Sequence, residues 1–78
     1  MRVAAVQYRA TKGDVDRSRG VLVRLAERAA VDADLVVLPE MAATGYVFPD
    51  AAAVRAVSEP AVGPTFEALA PIARAHRA

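Results

Sequence analysis

Residues 35–40 read Leu-Val-Val-Leu-Pro-Glu, an apolar run followed by a proline and a carboxylate. Because both side-chain parities of the run are apolar, it predicts a strand buried on both faces, as in parallel sheets covered by helices. The proline restricts how the chain leaves this strand. Ligand sites in open α/β sheets gather at the carboxyl ends of the strands, so Glu40 is the first candidate functional residue.

The chain before this stretch predicts a strand and a helix. Residues 3–8 are apolar on both parities and predict a first doubly buried strand. From Val15 to Ala30 the apolar residues recur with a helical period, and Asp14 is the predicted N-cap. The predicted apolar face of this helix consists of Val15, Leu22, Leu25, Ala26 and Ala29. A strand, a helix and a strand at this spacing form a βαβ unit, in which the strands are parallel.

Residues 41–50 predict a loop, and two shorter helices follow it. The first is predicted over residues 50–57, with Asp50 as its N-cap. Gly63-Pro64 marks the start of the second, with the proline at the first helical position. Pro71 lies inside the second helix, where a proline ring clashes with a preceding carbonyl, so we expect a kink or a restart there.

The composition limits the classes of partner. The chain carries a net charge of +1, and its arginines lack interleaved aromatic residues, so we expect no nucleic acid partner. No uncharged run approaches the roughly 18 residues of a membrane span, and no signal peptide precedes the first strand. We therefore expect a cytoplasmic protein with no membrane partner. The residue types also offer no plausible metal cluster.

The chain is rich in apolar residues for its size. Of its 78 residues, 55 % are apolar, although alanine supplies many of them. A chain this short buries only about 60 % of its unfolded surface and is marginally stable. After the last helix no third strand follows. We expect residues 1–78 to be the N-terminal portion of a single domain that continues past Ala78 or is completed by a partner.

Glu40 is a candidate general base. We expect it to be partly buried among apolar neighbours, and burial penalises the charged form of a carboxyl group. A carboxylate tuned in this way suits general-base work near neutral pH. An isolated Leu-Pro-Glu is also compatible with a solvated or capping glutamate.

Several ordered blocks resemble the nitrilase superfamily of carbon–nitrogen hydrolases. They are residues 2–7, Gly13-Asp14, residues 33–40, residues 44–46 and Gly63-Pro64. Their order and separation are more specific than any one block. The resemblance implies an α/β fold: the N-terminal part of an α-β-β-α sandwich, here a βαβ unit plus the following helices, incomplete in this chain.

The resemblance also implies a Glu-Lys-Cys triad without metal or cofactor. Glu40 matches the glutamate that takes a proton from the cysteine thiol, and the thiolate then attacks an amide, nitrile or carbamoyl-amine carbon. The lysine stabilises charge on the tetrahedral intermediate. Tyr46 matches an aromatic residue close to the active site and is a candidate substrate-binding residue. A small-molecule amide or nitrile substrate and a homo-oligomeric complete enzyme are further implications.

The chain departs from this pattern at several positions. It has no cysteine, and its only lysine, Lys12, does not match the family's catalytic lysine and is interpreted as a solvated surface residue. Ser18 stands where the family often has an asparagine. Glu59 and Glu67 lie near proline-marked helix boundaries and are interpreted as structural.

Three functions remain open at this point. The chain is the N-terminal segment of a carbon–nitrogen hydrolase, with the amidase branch favoured over true nitrilases and with no activity expected from the chain alone. Alternatively, it is a catalytically inactive fragment or docking module. A receiver-type signalling domain is disfavoured, because Gln7-Tyr8 stands where that fold has an acidic pair.

Overall fold

Two strands and three helices make up the computed structural model, which describes residues 1–78. In chain order they are β1 (Val3–Ala5), α1 (Val15–Ala30), β2 (Leu35–Val37), α2 (Ala51–Val57) and α3 (Pro64–His76). The predicted α/β class and the type and order of all elements are confirmed. None of the helices is both long and apolar enough to cross a lipid bilayer.

The two strands pair in parallel on one side of the connecting helix. Val3 lies opposite Leu35 and Ala5 opposite Val37, and the amide of Val6 adds one more bond by donating to the carbonyl of Val37 at 2.9 Å. The predicted βαβ unit is therefore confirmed. Both strands are shorter than predicted, because only three residues of each have a partner across the ladder.

The predicted burial of both sheet faces is wrong for this chain, since the helices cover only one face. Ala4 and Val36 are half-buried. The residues that alternate with them on the other face are exposed: Val3 by 59 %, Leu35 by 46 % and Val37 by 48 %. An apolar surface thus lies open on the side of the sheet away from the helices.

The core lies along α1, against which α3 and the sheet pack. Leu22, Ala26 and Ala30 are buried there, and Leu22 is only 1 % exposed. The predicted apolar stripe of α1 (Val15, Leu22, Leu25, Ala26, Ala29) is correct in direction, but Val15, Leu25 and Ala29 are only half-buried. Because seven of the 78 residues are buried, few side chains carry the stability of the chain.

Ser18 is the polar residue of this core and is 1 % exposed. Its hydroxyl donates to the carbonyl of Thr11 at 3.1 Å and accepts from the amide of Thr11 at 2.9 Å. A buried hydroxyl needs such partners to offset its desolvation. The two bonds fix the loop between β1 and α1 to the first turns of the helix.

The helix starts follow the sequence signals closely. Asp14 accepts from the amide of Arg17 at 3.1 Å, and Asp50 accepts from the amide of Ala53 at 2.8 Å. Both are the caps that the sequence predicts. The expected restart at Pro71 is wrong, because α3 continues through it. Packing against α1 holds α3 together across the hydrogen bond that the proline cannot make.

Glu59 joins α1 to the start of α3. It accepts from the Thr65 amide at 2.7 Å, from the Thr65 hydroxyl at 2.6 Å and from Arg19 at 3.3 Å. Arg19 also donates to the Thr65 hydroxyl at 3.1 Å. The bonds from Thr65, and then Arg19, hold the pKa of Glu59 below its ordinary value of 4.5. Glu59 therefore caps α3 and has the structural role that the sequence predicts.

Replacing this carboxylate should make stability less dependent on pH. A folded-state pKa below the unfolded value contributes stability that is present above pH 4.5 and is lost as the pH falls through the lowered pKa. We expect Glu59→Gln to lower the free energy of unfolding by about 1–3 kcal/mol at pH 7, as for hydrogen bonds to a charged group. The difference from the wild type should shrink at pH 3.

Urea unfolding of both proteins at pH 7 and pH 3 measures this difference. Glu27→Gln is the matched control, because Glu27 is exposed on α1 and makes no hydrogen bond or ion pair. A Glu59→Gln difference of equal size at both pH values would show that the charge of Glu59 contributes nothing.

Candidate active site

A cavity of about 420 Å³ opens where the chain leaves the two strands. Tyr8, Arg9 and Lys12 line it from the segment after β1, and Glu40 and Tyr46 line it from the segment after β2. Both segments leave the same edge of the sheet because β1 and β2 are parallel. The topology therefore brings the segment after β1 to the cavity that also holds the two candidate residues of the sequence, Glu40 and Tyr46.

Glu40 and Tyr46 are in contact. The Tyr46 hydroxyl donates to Oε2 of Glu40 at 3.3 Å. Glu40 forms no ion pair, although Arg9 and Lys12 line the same cavity. Its carboxylate is thus held at one oxygen by a neutral donor, and Oε1 accepts no hydrogen bond.

The expected partial burial of Glu40 is wrong, since its side chain is exposed. The expectation assumed apolar cover around the end of β2. In this chain Val37 and Met41 are themselves 48 % and 38 % exposed. The cavity is correspondingly open, and Glu40 meets water as well as Tyr46.

The loop after Glu40 turns sharply to return Tyr46 to the cavity. Met41, Gly45 and Val47 all have left-handed backbone angles, with φ of 53°, 79° and 64°. The amides of Thr44 and Gly45 both donate to the carbonyl of Met41, at 3.2 and 2.9 Å. Left-handed backbone at a β-branched valine is strained and persists only where surrounding contacts hold it.

Tyr8 supports this loop from the opposite wall. Its hydroxyl donates to the carbonyl of Ala42, and burial raises the pKa of the Tyr8 phenol. The sequence assigned Tyr8 to the first strand and gave no signal of this contact, because the two residues are 34 positions apart.

Lys12 is a second site residue that the sequence missed. Lys12 is exposed, as predicted for a surface lysine, but it also lines the cavity, and its ammonium donates to the carbonyl of Val47. The same ammonium lies 5.4 Å from the centroid of the Phe48 ring. Nothing local in the sequence indicates a contact across 35 residues.

The environment of Tyr46 favours its neutral form. Desolvation, the charge of Glu40 and the hydrogen bond to Glu40 raise the pKa of Tyr46. Because Tyr46 is 54 % exposed, water limits the effect of desolvation on its pKa. Glu40 is the specific neighbour that raises the pKa of Tyr46. Tyr46 therefore stays a proton donor to Glu40 at neutral pH.

The fold and the cavity define a class of protein: a parallel α/β unit that presents an unpaired carboxylate at the carboxyl ends of its strands. The sequence profile of the carbon-nitrogen hydrolase family matches residues 2–78, so the chain belongs to this family. The predicted resemblance to the nitrilase superfamily is thereby confirmed. The match also excludes the receiver-type alternative. No curated protein and no solved structure matches the chain.

Proposed function

We propose that residues 1–78 are the N-terminal portion of a carbon–nitrogen hydrolase domain that cleaves non-peptide C–N bonds, with Glu40 as general base. The family match supports the reaction class. The observation that carries the role of Glu40 is its unpaired carboxylate in a cavity at the strand ends. The substrates are small amides, nitriles or carbamoyl amines, and amides are favoured.

In this reaction Glu40 takes the proton of a cysteine thiol. Because Tyr46 holds Oε2, Oε1 is the oxygen free to accept that proton. The thiolate adds to the substrate carbon, a lysine stabilises the tetrahedral intermediate, and ammonia or an amine leaves with a proton from Glu40. Water then hydrolyses the thioacyl-enzyme and releases the acid. Tyr46, beside Glu40, contacts the substrate.

The cysteine and the catalytic lysine come from residues outside this chain. The exposed apolar face of Val3, Leu35 and Val37 supports an incomplete unit, because exposed contiguous apolar surface on a sheet calls for a covering layer. In the complete domain a second sheet covers this face and gives the α-β-β-α sandwich. We further propose a cytoplasmic homo-oligomer that needs no metal or cofactor.

A catalytically inactive fragment or docking module is the second candidate. The absence of cysteine and the same open sheet face favour it. The coding sequence after codon 78 distinguishes the two candidates. A continuing frame with a lysine and then a cysteine supports the enzyme, whereas a stop codon supports the fragment.

A chimera provides the biochemical test. Residues 1–78 replace the corresponding segment of an active member of the family, and ammonia release from simple carboxamides is measured. We expect turnover by the chimera and none by the 78-residue chain alone. A folded but inactive chimera would contradict the proposal, and so would turnover by the cysteine-free chain.

A further inference from the structure

We propose that Lys12 is a positioning residue, which holds residues 45–48 against the loop before α1 and so keeps the Tyr46 hydroxyl on Glu40. The catalytic consequence rests on the proposed function of Glu40, whereas the contacts themselves do not. Lys12 is the only lysine of the chain, so its replacement removes the single side-chain ammonium.

Hydrogen bonds of the neighbouring residue hold the backbone of Lys12 in place. Thr11, its neighbour, exchanges two hydrogen bonds with the buried Ser18 hydroxyl. The carbonyl of Thr11 also accepts from the amide of Asp14 at 3.1 Å. Since Ser18 belongs to α1, these bonds tie the base of the Lys12 side chain to the core of the chain.

From this point Lys12 contacts the opposite loop at three places. Its ammonium donates to the carbonyl of Val47 and lies 5.4 Å from the centroid of Phe48. Its Cα also faces Gly45, where an added Cβ would come to 3.4 Å. A lysine ammonium and an aromatic ring face attract each other. The ammonium end of Lys12 and its Cα therefore both contact the loop of residues 45–48.

Tyr46 lies between two of these contact points. Gly45 and Val47 both have left-handed backbone, with φ of 79° and 64°, and valine reaches this conformation only when neighbouring contacts hold it. The Lys12 bond to the Val47 carbonyl is the contact that does so from across the cavity. Without it the loop can relax, and the Tyr46 hydroxyl leaves Glu40.

The test is an NMR titration of the two phenols in the full chain. With ¹³C-labelled tyrosine, Tyr46 and Tyr8 are followed separately in the wild type, Lys12→Met and Lys12→Arg. We expect the Tyr46 pKa to fall toward its ordinary value in Lys12→Met and to stay raised in Lys12→Arg, which retains the donor. The Tyr8 pKa should not change.

The direction of the change in the Tyr46 pKa shows whether Lys12 positions the loop or acts only through its charge. Removing a nearby cation from an unmoved loop raises a phenol pKa, whereas release of Tyr46 from Glu40 lowers it. An unchanged or raised Tyr46 pKa in folded Lys12→Met would therefore overturn the proposal.

If Lys12→Met unfolded, the pKa values of both phenols would return to the ordinary value. A second measurement is therefore needed to recognise this case. Ring-to-side-chain NOEs between Tyr46 and Glu40 at pH 7, with circular dichroism of each variant, report whether the phenol has left Glu40 in a chain that is still folded, and we expect Lys12→Met to lose them. A folded Lys12→Met chain that keeps these NOEs would overturn the proposal. Neither readout depends on turnover, so failure of the proposed function, seen as an inactive chimera, is a separate result.

Discussion

Glu40→Gln is expected to lower turnover of the active chimera by about 10²- to 10⁴-fold, the usual contribution of a positioned general base. Glutamine keeps the size of the side chain and a carbonyl oxygen that can accept from Tyr46. It cannot take a proton from a thiol at neutral pH, however. We therefore expect kcat to fall while the fold of the chimera is retained. Ammonia release under saturating carboxamide, with circular dichroism of both proteins, measures this effect.

Glu27→Gln is again the matched control. It removes one carboxylate from the exposed face of α1, outside the cavity, and should leave turnover within about twofold, because exposed charges contribute little. Equal losses in Glu27→Gln and Glu40→Gln would attribute the effect to net charge. An unaffected Glu40→Gln chimera would remove Glu40 from the mechanism.

Leu22→Ala is expected to have the largest effect on stability. Leu22 is 1 % exposed and is the largest apolar side chain that is fully buried. Truncation of a buried leucine costs about 2–5 kcal/mol. Small domains have free energies of unfolding near the lower end of about 5–15 kcal/mol, so this loss should remove a large part of the stability of the chain and lower its melting temperature.

Thermal unfolding followed by circular dichroism measures the Leu22→Ala effect. Val62→Ala is the control, because Val62 is 67 % exposed and its truncation should change the free energy of unfolding by less than about 0.5 kcal/mol. A Leu22→Ala chain with the melting temperature of the wild type would show that α1 does not carry the core.

Local signals in the sequence predicted the helices well. The apolar period and Asp14 define α1, Asp50 defines the start of α2, and Pro64 begins α3. These features act within one helical turn, so neighbouring residues suffice to predict them. The restart expected at Pro71 was wrong because packing of α3 against α1, a tertiary effect, outweighs the local penalty.

The sheet was predicted correctly in its pairing and wrongly in its burial. Because apolar residues stand at successive positions, the sequence predicts that both faces of each strand are buried. Leu35 and Val37 are exposed, however, because this chain has no layer that covers the second face of the sheet. The same difference explains why Glu40 is exposed. The sequence pattern describes a covered sheet, and the structure describes one that these 78 residues leave half covered.

The sequence also identified some residues of the candidate site and missed others. Glu40 was found from the sequence because the end of a strand is a local feature, and Tyr46 was found because the family resemblance places an aromatic residue close to the active site. Tyr8 and Lys12 were missed because their contacts span 34 and 35 residues. Only the parallel pairing of β1 and β2 brings these two loops to the same cavity, and no spacing in the sequence indicates which side chains meet there.

The most direct measurement of the role of Glu40 is the alkylation rate of the chimera's cysteine by iodoacetamide across pH 5–9, with Glu40 present or replaced by glutamine. Alkylation follows the thiolate, which an adjacent base supplies at neutral pH. We predict rapid alkylation near pH 7 with Glu40, and slow alkylation with Gln that recovers only toward the ordinary thiol pKa of about 8.5. Superimposable pH profiles for the two proteins would contradict the account.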